Sequence, residues 1–207
     1  MTREVVVVGA GGMGRETVDV ARAAGVRVVG VVDDRASVVD LGRLARLDVP
    51  FLGSVDSWLA HDGTTPWVVG IGAPEVRRRL TGRLAAAPGR AAALVHPAAT
   101  VGSDSHVGPG SVVCAGALVS TGVRAGSHVH VGPGATIGHD AELADFVSVN
   151  PGALVSGSVR IGRGVLVGAG AVVLQGLSVG ADSVVGASAC VVRDVAESVV
   201  VRGVPAR

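Results

Sequence analysis

Two sets of residues in this chain combine side-chain types and spacings that could carry chemistry. The first is the pair His139-Asp140 in "ATIGHDAELAD", residues 135–145, an ionisable couple set among glycine, alanine and branched aliphatics. Imidazole titrates near neutrality, and a carboxylate beside it favours the protonated ring. Such a pair can accept a proton from an attacking group and return it to a leaving group. The second is the turn "GAGGMGRE", in which Gly9-x-Gly11-x-x-Gly14 is followed by Asp33-Asp34 at the spacing of a dinucleotide fingerprint. Glycine lets a ligand come close to the main chain, and free N–H groups at a helix start favour a phosphate. A tight turn that binds nothing would use the same glycines.

The remaining candidates carry less. His61 and His96 read as solvated. His128 and His130 lie near His139 in sequence, but no third ligand follows at fixed spacing, so no metal site is expected. The two cysteines, Cys114 and Cys190, have no metal-ligand spacing, and a reducing, cytoplasmic setting is the default. A net charge of +1 from 18 basic and 17 acidic residues gives no field for nucleic acid or an anionic membrane. No apolar run approaches the roughly 18–20 residues of a membrane helix, and the apolar start is too short for a signal peptide.

The elements that must position these residues follow from a repeat. With 32 glycines, two Trp, two Phe and no Tyr, a core has to be built from many small, regular contacts. From Val95 to Val191 an aliphatic or alanine falls at every sixth position, 17 in succession, with Ala125 the only one that is not Val, Ile or Leu. A six-residue period fits neither a helix nor a hairpin; it fits a parallel β-helix of hexapeptide repeats, three hexads to a coil. The glycine that often follows each aliphatic is expected to relieve a corner with unusual φ. His106, His128, His130 and His139 then fall at outward-facing positions.

Residues 1–94 read differently. A strand at Val5–Val8, a helix from about Gly14 to Ala24 and a strand at Arg27–Val32 precede a strand at Trp67–Ile71, a helix to about Ala87 and a last strand near Ala91–Val95. This is a half-sized Rossmann-like unit, α/β in class. It lacks the second mononucleotide half, so a nucleotide is expected and a dinucleotide redox cofactor is not. The expected division is a small Rossmann-like unit at 1–94, whose sugar-nucleotide ligand is implied by a resemblance, and an all-β left-handed parallel β-helix at 95–207. The handedness comes from the resemblance described next.

Residues 95–192 resemble the left-handed β-helix of hexapeptide-repeat acyltransferases. The whole chain resembles bacterial nucleotide-sugar acetyltransferases of the sialic-acid O-acetyltransferase type, which include UDP-4-amino-sugar N-acetyltransferases. The marks are "GAGGMGRE", "VDD" at Val32–Asp34, "GIGAPEVRRRL", "HPAATVG", "IGHDAELADFVSVNPGALVSGSVRIGRGVLVGAGAVV" and "VRGVPAR". The resemblance implies a homotrimer with active sites between neighbouring β-helices, acetyl-CoA as donor, a nucleotide-sugar as acceptor and no metal. It assigns His139 as general base with Asp140 beside it. Gly11, Gly12, Met13, Asp33, Asp34 and Gly72 fall to the nucleotide-sugar, and Ser148, Gly168, Ala169, Gly186 and Ala187 to the donor. Two positions depart from the pattern: Ser148 stands where many relatives carry a second histidine, and Met13 where the first turn often reads Gly-His-Gly. O-acetylation of a sialic acid or other sugar hydroxyl, and a catalytically decayed β-helix scaffold, are the alternatives.

Overall fold

The computed structural model describes residues 4–207. A valine run with β-branched side chains on both faces suits a central parallel strand covered on both sides. It forms β1 (Glu4–Val8), flanked by β2 (Arg27–Val32) and β3 (Trp67–Val69) in a parallel sheet of order β2-β1-β3. Around it lie α1 (Gly12–Ala23), α2 (Val38–Arg46), α3 (Val55–His61) and α4 (Pro74–Leu84). The expected strand near Ala91–Val95 is only a bridge from Trp67 to Ala91, followed by the first strand of the coils.

Apolar periodicity does mark α2, since Val38, Leu41, Leu44 and Ala45 fall on one side of the helix, although Val38 is 86% exposed and Leu44 alone is buried. Serine caps set the starts of α2 and α3. Ser37 and Ser54 each accept a hydrogen bond from the backbone N–H three residues on, at 3.1 Å.

From Leu94 the chain winds into coils. Seventeen two-residue strands, β4 (Leu94–Val95) to β20 (Cys190–Val191), recur every six residues, and the second residue of each is one of the seventeen repeat positions. Each strand pairs with the one a full coil away, as in His130↔Ser148 and Val131↔Val149. A final strand, β21 (Val200–Val201), joins after the period breaks, and the coils present sheets of seven, six and five strands. Successive residues of a strand point to opposite sides. The repeat aliphatics therefore fill the axis, and the residue before each decorates a face.

The glycine expectation is corrected here. Positive φ falls not on the residue after the aliphatic but two further on, at Asp104, Gly110, Gly116, Gly122, His128, Gly134 and Asp140 among others. The residue after the aliphatic is glycine for closeness: a Cβ at Gly138 would lie 2.5 Å from the Gly157 backbone nitrogen on the next coil.

The first face carries Leu94, Val112, His130, Ser148, Leu166 and Val184. Its first four are buried because the N-terminal unit sits on them. Leu94, Val112 and Cys114 share one apolar core with Val5, Val7, Val18 and Ala21, so the two units pack as one body. The second face carries Thr100, Leu118, Thr136, Leu154, Val172 and Cys190, and the third His106, Arg124, Glu142, Arg160 and Ser178.

Candidate active site

The C-terminal ends of β1, β2 and β3 open onto a cavity of about 470 Å³ lined by Asp33, Asp34, Arg35, Ile71, Arg79 and Arg83 among others. This is where open parallel sheets bind ligands. Asp33 accepts hydrogen bonds from the N–H groups of Ala10 and Arg35, each at 2.7 Å. Asp34 accepts from the Val55 N–H at 3.0 Å and pairs with Arg83, which also reaches Asp56 at 2.6 Å. The Arg83 hydrogen bond holds the Asp34 carboxyl below the usual carboxylate range. Both acids thus brace the rim, Asp33 the β1–α1 turn and Asp34 the start of α3. Arg35 and Arg79 line the same cavity, and neither forms an ion pair among the described residues. Sequence reading missed both, because an arginine on a turn or helix surface reads as solvated.

The glycine turn separates into two kinds of position. Gly14 is imposed by packing: its Cβ would stand 1.8 Å from the Gly9 carbonyl oxygen. Gly11 and Gly12 are not, since a Cβ at either meets nothing within 4 Å. Helix α1 begins there with no side-chain cap and no acid in its first turn, leaving its N–H groups open to an anion. Met13 packs, partly buried, against the core that α1 shares with the coils. Gly12 borders a second opening beside Arg15, Arg43 and Arg46 rather than the larger cavity.

His139 and Asp140 occupy the corner between the second and third faces. A 2.8 Å hydrogen bond joins His139 Nδ1 to Asp140 Oδ2, with the side chains 55% and 65% exposed. With the proton on Nδ1, the Nε2 lone pair is free to accept another. Asp140 sits in the corner slot that requires positive φ, here 58°, a backbone that aspartate tolerates better than most side chains. The fold alone therefore accounts for a small polar residue at 140, but not for an imidazole at 139.

The contact between the units holds a group that sequence reading missed. Arg77 of α4 is fully buried with no carboxylate partner. It donates to the carbonyls of Ile71 (2.7 Å) and Gly72 (3.1 Å) at the end of β3. On the coils it donates to the carbonyls of His128 (2.9 Å), Phe146 (2.8 Å) and Val147 (3.1 Å) and to Ser148 Oγ (2.9 Å). Burial lowers its pKa to about 9. In "VRRRL" it is one arginine of three, and only its spacing of three and seven residues to Leu80 and Leu84, the buried face of α4, sets it apart from its neighbours.

Ser148 belongs to the same contact. It is buried, and its single hydroxyl proton goes to the Gly72 carbonyl at 2.7 Å, so in this arrangement it does not donate to a donor molecule. It fixes the Gly72 main chain instead. His128 and His130 face outward from the coil as expected but are covered. His128 lies between Trp67 and Phe146, ring centroids 5.8 and 5.1 Å away and nearly parallel. Burial, and Arg77 second, lowers the His128 pKa to about 4, and burial drives that of His130 well below its usual value.

Ala169 and Ala187 are exposed on the corner between the first and second faces. Gly168 beside them is imposed by stacking, its Cβ 2.6 Å from the Ala187 nitrogen; Gly186 is less confined, at 3.1 Å from Arg202 Cβ. The second face between this corner and that of His139 shows Leu118 and Leu154 to solvent. No helix among the described residues is long and apolar enough to cross a membrane.

Comparison with known proteins bears on what this arrangement does. Residues 4–84 match the family described as the PglD N-terminal domain. The chain is similar to the acetyltransferase domain of PglB from Neisseria gonorrhoeae FA1090 in complex with acetyl coenzyme A. Identity there is 33% and the TM-score 0.90, with 100% of this chain and 99% of that one covered. It is also similar to a mutant perosamine N-acetyltransferase from Caulobacter crescentus in complex with CoA and GDP-perosamine, at 29% identity and a TM-score of 0.89, covering 99% and 95%. WeeI from Acinetobacter baumannii AYE shares the fold at 23% identity and a TM-score of 0.86, covering 98% of each chain. Among curated protein sequences none matches.

Proposed function

This chain belongs to the nucleotide-sugar N-acetyltransferases of the hexapeptide left-handed β-helix type, and we propose that His139 is the general base with which it acetylates the amine of a nucleotide-activated sugar from acetyl-CoA. The observation that carries this reading is the His139–Asp140 hydrogen bond on an exposed corner, with Nε2 directed away from Asp140. The acceptor amine attacks the thioester carbonyl carbon, forming a C–N bond, and its proton passes to Nε2. The tetrahedral intermediate then collapses with cleavage of the C–S bond, and the departing thiolate takes the proton from the imidazolium. Asp140 orients the ring through its hydrogen bond to Nδ1 and so turns Nε2 toward the acceptor. General-base help of this kind contributes roughly 10²–10⁴ in rate.

The nucleotide-sugar is held by the N-terminal unit. Its phosphates lie toward the open start of α1 at Gly11 and Gly12 and toward the cavity with Arg35 and Arg79, which Asp33 and Asp34 brace. Gly72, its carbonyl held by Ser148 and Arg77, offers its N–H to the sugar. The donor runs along the corner of Gly168, Ala169, Gly186 and Ala187. One chain does not bring these parts together: His139 stands on the corner opposite the face that bears the N-terminal unit. We therefore assign the enzyme a homotrimer in which one copy supplies the base and its neighbour the nucleotide-sugar, with the exposed second face between them. A cytoplasmic setting suits both substrates.

The test is CoA release from acetyl-CoA with a panel of nucleotide-linked 4-amino-sugars, followed by mass spectrometry of the product. His139→Ala should lose at least 10²-fold in kcat. Co-expression of His139→Ala chains with Gly12→Asp chains, whose added charge repels phosphate, should recover activity that neither variant has alone. Full activity in His139→Ala refutes the base, and no recovery on mixing refutes the shared site.

A further inference from the structure

We propose that Gly157 is a positioning residue: its bare α-carbon is the seat on which the His139 imidazole rests, and it keeps Nε2 uncapped. Residue 157 lies one coil beyond His139 in the same corner, and its neighbour Ser158 donates its N–H to the His139 carbonyl at 2.8 Å. Stacked coils are about 4.8 Å apart, so a ring that leans along the stack needs an empty place on the next coil. Gly157 provides it. A Cβ there would lie 2.5 Å from His139 Nε2, 2.7 Å from Cε1 and 3.0 Å from Cδ2, so a single methyl would press on the whole outer edge of the ring. Nε2 is the nearest of the three, and it is the atom that must meet the acceptor proton.

The three atoms nearest an added Cβ at 157 all belong to the His139 ring, so the ring is what it would meet first. The φ of Gly157 lies outside the left-handed region; the neighbouring corner residue Ser158 (φ 57°) takes the positive value instead. Gly122 plays the matching part for Asp140, whose Oδ1 would be 2.5 Å from its Cβ. Gly122 also has φ 71°, so a substitution there would mix backbone strain with crowding. Gly157 is the clean probe. His139 is exposed, and its ring can swing away from an added methyl without disturbing the coil; alanine at 157 should move the ring and leave the fold.

The inference rests on His139 being the base, and the experiment separates the two. Gly157→Ala is compared with the parent enzyme and with His139→Ala. Expected are a Tm within about 2 °C of the parent, a kcat at least tenfold lower and a KM for each substrate within about threefold. With ¹⁵N-labelled histidine, the neutral form of the parent's His139 should carry its proton on Nδ1, the tautomer that the hydrogen bond to Asp140 selects. Gly157→Ala should lose that single-tautomer signature. A kcat within twofold of the parent, or an unchanged ¹⁵N signature, overturns the seat. Full activity in His139→Ala overturns the base assignment and leaves the ¹⁵N result to decide the seat by itself.

Discussion

Replacing Arg77 by lysine should damage this protein more than replacing it by methionine, against the usual ranking of conservative substitutions. Arginine at 77 serves six oxygen acceptors on both sides of the unit contact with one planar fork. Burial lowers its pKa to about 9, a cost to the charged form on the order of 5 kcal/mol. Methionine removes that cost together with the donors. The Gly72 carbonyl keeps the Ser148 hydroxyl, and the Val147 carbonyl keeps the His130 N–H at 2.9 Å. The carbonyls of Ile71, His128 and Phe146 lose the donor that Arg77 gave them, at about 1–3 kcal/mol each. With the charge gone, the net loss should be about 2–3 kcal/mol. Lysine keeps the burial cost, places three donors on one atom and cannot span both rows. Its escape, deprotonation at pH 7, itself costs about 4–5 kcal/mol. For a chain of this size each kcal/mol is worth about 2–4 °C in Tm. Calorimetry should therefore find Arg77→Met about 5–10 °C below the parent and Arg77→Lys about 10–15 °C below. A lysine variant as stable as the parent, or more stable than the methionine variant, would refute the account.

Two further outcomes follow from the same contacts. His128 titrates near 4 in the folded chain and near 6.5 unfolded, so the unfolded state binds the proton first. Stability should then fall as pH drops from about 6.5 toward 4, by at most about 3 kcal/mol from this residue. Arg77 and Asp145 are the charged groups facing it, the first opposing protonation and the second favouring it. Denaturant unfolding of the parent and His128→Phe across that range should show a shallower slope in the variant, and equal slopes would remove His128 from the explanation. In the glycine turn, Gly14→Ala should fail to fold or lose more than about 3 kcal/mol, because its Cβ would overlap the Gly9 carbonyl. Gly12→Ala should keep its Tm and change only the affinity for the nucleotide-sugar, read by calorimetric titration. The opposite pattern would mean that the open start of α1 has no ligand role.

The hexapeptide period fixed in advance which residue of every strand faces the axis, because a period-six pattern admits one inward register and each of the seventeen positions repeats it. The valine run and the glycine turn likewise carried the parallel sheet and the phosphate-ready helix start, both local consequences of side-chain branching and of the missing Cβ. His139 and Asp140 could be read as a free, outward pair for the same reason: the period leaves their places outside the packing. What lay beyond the pattern is what covers an outward residue. Ser148, His128 and His130 point away from their own coil just as His139 does, yet the first three are sealed under the N-terminal unit and His139 is open. That difference belongs to a docking between segments 50 to 70 residues apart in sequence, on the order that Arg77 spans to His128 and Ser148. A solvated arginine and a buried one are spelled alike in a single sequence, because the spelling does not contain the six acceptors that wait for the second. The glycines that relieve φ recur at one place in the hexad, whereas those that only make room, such as Gly138, are explained by the coil stacked above them.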